Sequence, residues 1–123
     1  MPESADTLEF IRNSFRSVWS IELFLLLRSD ETRAWAHAEL LELLRASDVI
    51  VHQGIAGLVA GGLAVIEEDG AARYAPVTGE IGRLADAAAE LYAKRPDHVR
   101  RQIIAGANNQ LSAFADAFRL RRD

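Results

Sequence analysis

Eighteen consecutive residues without a formal charge, Val49 to Ile66, constrain this chain more than any other feature. A run of that length reaches the lower limit for a membrane-spanning helix, so it must be buried in lipid, in the protein's own interior, or against a partner. Its composition argues against lipid. The run holds His52, Gln53 and glycines at 54, 57, 61 and 62, and the Gly61-Gly62 pair divides it into two short pieces that read as buried elements of a soluble fold. Gly57 and Gly61 also spell a GxxxG pattern, which carries little meaning outside a membrane.

The rest of the chain supplies what such pieces would pack against. With 123 residues it is read as one domain able to bury a core without metals or disulfides. The absence of cysteine removes disulfide frameworks, thiolate metal sites and cysteine nucleophiles together. It agrees with a reducing compartment, and because the acidic start MPESADTLEFIRNS lacks the basic-then-apolar order of a signal peptide, the cytoplasm is the expected location.

Apolar spacing predicts the elements. Asp6 to Glu9 resembles a capped helix start, and Leu8, Ile11 and Phe15 follow at helical intervals. Val18 to Leu27, VWSIELFLLL, is apolar on nearly every face and is expected to be the central core helix. A polar break over 28–32 follows, and Trp35 is placed in a short strand before a helix over Ala36 to Arg45. Ser47 then stands as N-cap of a further helix with Val51, Ile55, Leu58 and Val59 on its inner side. Beyond Gly61-Gly62, residues 63–67 and 72–76 flank Asp69-Gly70 as strand, turn, strand. Ile81, Leu84, Ala85, Ala88, Leu91 and Tyr92 keep helical spacing up to Pro96. Asp97 opens a short continuation through Ile104, Gly106 to Asn109 reads as a break, and Leu111, Phe114, Ala115 and Phe118 form a last stripe.

This order, from about residue 17 to 77, resembles the winged helix-turn-helix of bacterial regulators of the MarR, PadR and ArsR kind. The letters that carry the resemblance are Leu58, Gly62, Leu63, Asp69 and Gly70, in the pattern L-x-x-x-G-L-x-x-x-x-x-D-G. It implies a mainly α fold with a small β-hairpin, α+β in class: a winged helix-turn-helix over 17–77 with extra N- and C-terminal helices over 7–16 and 79–121. It implies a transcriptional regulator that lays the helix after the turn into double-stranded DNA. Regulators of this build pair through such flanking helices, and Leu8, Ile11, Phe15, Leu84, Leu91, Tyr92, Phe114 and Phe118 here carry more apolar surface than a small core covers, so a homodimer is expected.

The helix after the turn departs from that pattern in its charge. With its inner side assigned, the outward positions are Val49, Ile50, His52, Gln53, Ala56, Gly57 and Ala60, with no lysine or arginine among them. Neutralised phosphates supply most non-specific DNA affinity, so a reading helix without cations forgoes the usual attraction. Gln53 retains the chemistry to read an adenine edge. Arg73 in the wing, with Arg33 and Arg45 near the turn, could approach the backbone, but Glu67, Glu68 and Asp69 oppose it. The contacting set is therefore Ser47, Val49, Ile50, His52, Gln53, Gly57 and Arg73, serving either DNA or, as the alternative, a protein partner on a flat uncharged face. Gly54 is read as a fit against the core helix, whereas Gly57 is equally compatible with packing and with a contact.

Charge is also unevenly placed. Residues 1–93 hold seven Arg against fifteen Asp or Glu, a balance of −8, while residues 94–123 hold six Arg and one Lys against three Asp, a balance of +4. The basic tail either grips phosphates or an acidic partner, or solvates helix ends and complements their dipoles. His37, His52 and His98 lack metal-ligand spacing, the acidic pairs read as wetted helix surface, and no glycine run has phosphate-cradle spacing, so no enzyme activity, metal or cofactor is expected. Trp19 and Trp35 read as core, with an effector pocket as the other use for them.

Overall fold

The computed structural model describes residues 5–107. Its centre is α2 (Val18–Arg28), in which Ile21, Leu23, Phe24 and Leu27 are at most 1% exposed. A helix apolar on so many sides is stable in water only when other elements surround it. Before it lies α1 (Ala5–Ser14); after it come β1 (Ala34–Trp35), α3 (His37–Leu44), α4 (Asp48–Ala60), β2 (Ala64–Ile66), β3 (Ala72–Tyr74) and α5 (Gly79–Lys94). Residues 96–107 are helical as well. Pro96 separates this last stretch from α5, since its ring and missing N–H cannot continue the preceding helix.

The expected two-stranded ribbon is the larger part of a three-stranded antiparallel sheet in the order β1-β3-β2, with Trp35 opposite Ala72 and Ala64 opposite Tyr74. The chain is thus mainly α with a small antiparallel sheet, and its element order is compatible with a winged helix. Aromatic rings join the sheet to the helices: Phe24 lies 5.1 Å from Phe15 and 5.9 Å from Tyr74, centroid to centroid. Burial and the nearby Asp86 carboxylate raise the Tyr74 hydroxyl above its ordinary pKa, with Arg28 opposing them.

The ends of α4 are fixed by local chemistry. The Ser47 hydroxyl accepts the Ile50 N–H at 3.2 Å, as expected of an N-cap. At the other end the Leu63 N–H reaches the Leu58 carbonyl and the Gly62 N–H the Val59 carbonyl, the paired bonds of a Schellman stop. Gly62 takes the left-handed conformation that this stop needs, with φ +76°. Between α3 and α4 the axis turns by 113° across three residues, 45–47. That bend lies within the range typical of helix-turn-helix pairs. Among the described residues no single helix is long and apolar enough to cross a membrane.

Several expectations change. Val59, expected on the inner side of α4, is 38% exposed, because the buried seam is only the three residues Val51, Ile55 and Leu58. Trp19 is 40% exposed, whereas Trp35 is core at 4%. Gly106 does not break the chain: it is helical and buried, and a Cβ there would press on Arg12 at 3.4 Å. The flanking helices meet within one chain, α1 against α5, and Ile11, Phe15, Leu91 and Tyr92 are buried there. The apolar surface that motivated a homodimer is therefore covered internally over that part; Phe114 and Phe118 lie outside the described residues.

Gly62→Ala tests the stop. A Cβ would lie 2.7 Å from Val77 Cγ1, and the left-handed backbone alone costs an L-residue about 1–2 kcal/mol. The variant should lose about 2 kcal/mol or more in urea unfolding; an unchanged midpoint would show that the stop does not constrain the fold.

Candidate functional site

The roll of α4 about its axis decides which residues meet solvent. Val51, Ile55 and Leu58 turn inward against α2, and Gly54 lets the two helices close: a Cβ there would stand 2.9 Å from Leu23 Cδ2. This is the close-approach role expected for Gly54. The opposite side is left outward. Val49 is 60% exposed, His52, Gln53, Ala56, Gly57 and Ala60 are exposed, and Ile50 is half-buried. No charged side chain lies on α4 beyond Asp48 in its first turn.

Two concavities flank this ridge. The first, of about 550 Å³, lies between α4 and the α1–α2 corner; Ile50, Gln53, Gly57 and Ala60 form one wall, and Arg16 and Trp19 stand on the other. A Cβ at Gly57 would meet nothing within 4 Å, so this glycine answers no packing demand among the described residues. The second, of about 440 Å³, lies toward the ribbon and is lined by His37, His52, Val59 and Ile66 among others. Val59 and Ile66 are exposed there, so the uncharged surface continues from α4 onto the sheet.

The structure brings Ile50, Gln53 and Gly57 together on one wall, while Val49 and Ser47 sit at the N-terminal end of the same helix and His52 faces the second concavity. Ser47 is committed to its cap. Arg73 does not join them as a free cation. It sits in the central strand opposite Val65 and Ala34, and its Nε donates to Glu67 Oε1 at 2.6 Å. The acidic neighbour expected to oppose Arg73 is thus its ion-pair partner. Arg33 is likewise engaged, bonded to Glu39 and stacked 3.9 Å over Trp35. His37 Nε2 contacts Asp48 Oδ1 at 2.7 Å and so ties the start of α3 to the start of α4.

Sequence reasoning missed the far wall of the first concavity. Trp19 and Arg16 belong to the corner after α1, and inside an apolar run such as VWSIELFLLL helical spacing does not single out the one position that stays wet. The available signal was Ser17: as N-cap of α2, accepting the Ser20 N–H at 3.2 Å, it puts Trp19 in the first turn, where the helix emerges from the core.

Compared with protein-family models, curated proteins and solved structures, the chain matches none.

The two glycines of α4 should respond oppositely to alanine. Gly57→Ala, with open space around the new methyl, should gain up to about 1 kcal/mol from helix propensity. Gly54→Ala should gain nothing or lose stability, since Leu23 is buried and must move. Paired urea melts compare them, and equal effects would contradict the inferred roll of α4.

Proposed function

We propose that this chain is a winged-helix-type interaction module whose α4 face takes a protein partner. The observation that carries the reading is the outward face of α4, which bears no cation, beside a ribbon whose arginine is held by Glu67. The centre of a protein interface is depleted of charge, more apolar than its rim and enriched in aromatic groups, which suits Val49, Ile50 and Trp19 around an open Gly57. Gln53 and the Ser14 hydroxyl supply the polar contacts that fix orientation. The partner that suits this wall is a segment with apolar side chains to enter the concavity.

A second reading, duplex DNA, is favoured by the 113° turn between α3 and α4. A regulator would place α4 in the major groove, with Gln53 at the base edges. Arg45 in the turn before α4 and Arg16 across the concavity, both exposed, would then have to supply the phosphate contacts that α4 lacks.

Fluorescence anisotropy with duplex fragments, the gene's own upstream region included, separates the readings across a salt series. The protein-partner reading expects no binding at micromolar protein in low salt, and no change on Arg73→Ala. Duplex binding whose salt slope falls by about one on Arg45→Ala would establish the DNA reading instead. In the native host, a photo-crosslinking residue at position 53 should attach to one protein, mapped to one segment of it, and Ile50→Asp should abolish the adduct. Adducts that persist in that variant would overturn the protein-partner reading.

A further inference from the structure

The concavity beside Trp19 lies close to where the described part of the chain ends. Helical residues 96–107 run back over α1: Arg12 Nη1 donates to Gln102 Oε1 at 2.9 Å, and Gly106 is packed on the Arg12 side chain. Asn13 and Ser14, the next residues of α1, already line the concavity. Sixteen residues, 108–123, follow from this point.

Those residues have the composition that the wall calls for. Leu111, Phe114, Ala115 and Phe118 recur at i, i+3, i+4 and i+7, followed by Arg119, Arg121 and Arg122. Their length is sufficient. Ile50 to Gly61, the extent of α4 along the concavity, covers about 16 Å of helix, and sixteen residues cover about 24 Å even when helical, the most contracted regular form considered. The contact is apolar in character: among the described residues the only charged side chain lining the concavity is Arg16, and residues 108–123 hold three Arg against two Asp, a balance of +1.

We propose that residues 108–123 of the same chain occupy the concavity between α4 and the α1–α2 corner, covering Trp19, Ile50 and Gly57 until a partner displaces them. The proposal rests on the reading of the α4 face as a docking surface and adds its regulation: the partner competes with an internal occupant, so its apparent affinity is reduced by the fraction of chains that are closed.

A chain without cysteine makes the test direct. Gly57→Cys, where the side chain meets open space, is combined in turn with cysteine at 111, 114 or 118 in the full-length protein. Under mild oxidation at least one pair should form an intramolecular disulfide, which requires Cα atoms within about 7 Å. Disulfides formed only between molecules, or none in any pair, would overturn the proposal. A second measurement needs no cross-link. In a Trp35→Phe background, Trp19 should be protected from acrylamide quenching, and Phe114→Ala with Phe118→Ala should remove that protection while the circular dichroism of the fold is retained. A Trp19 equally quenched with and without the two phenylalanines would also overturn it.

The two readings fail separately. If no intramolecular disulfide forms but position 53 still captures one partner segment, self-docking falls and the docking face stands. If the disulfide forms but position 53 captures no partner even in the Phe114→Ala/Phe118→Ala variant, the internal contact stands and the docking role falls.

Discussion

The packing of α4 on α2 decides the surface that this protein presents. Three inward residues, Val51, Ile55 and Leu58, meet a helix that is itself buried over most of its circumference, and the missing side chain at Gly54 lets Leu23 into the gap. Interiors are close-packed, so a seam this narrow fixes the roll of α4 within small limits. Everything on the other side, from Val49 to Ala60, is consequently presented together. The Ser47 cap and the Gly62 stop hold the two ends of the same helix, which leaves its length as well as its roll determined.

The electrostatics of the face follow from what surrounds it. Glu67 sits within hydrogen-bond distance of Arg73, so the ribbon presents a locally neutralised pair and not a free cation. Half-exposed ion pairs of this kind are worth less than about 1 kcal/mol, so the pair matters more for occupying the cation than for stability. The result is a helix-turn-helix geometry with little of the positive potential that DNA readers use.

Much of the architecture was legible along the chain because each boundary has its own chemistry. Ser47 as a cap, Gly61-Gly62 as a stop, Asp69-Gly70 as a turn and Pro96 as a break all act within a few residues, and each appears where it was read. Gly106 shows the opposite case, a glycine within the helical stretch 96–107 that answers to the Arg12 side chain packed against it. Trp19 and Val59 show a related difficulty. In segments apolar on every face, spacing gives no inner side, and only the neighbours present in space decide which residue stays exposed.

The sequence alone determined that a long uncharged run would be cut into a helix and a strand, and that the helix would carry no cation outward, because these follow from composition and from short-range caps and stops. The tertiary structure decided that Arg73 is bound by Glu67, that Trp19 faces α4 across an open concavity, and that α1 and α5 bury each other's apolar sides within one chain. Those outcomes depend on residues far apart along the chain or on neighbouring strands, and their distances are set only when the helices and the sheet have packed.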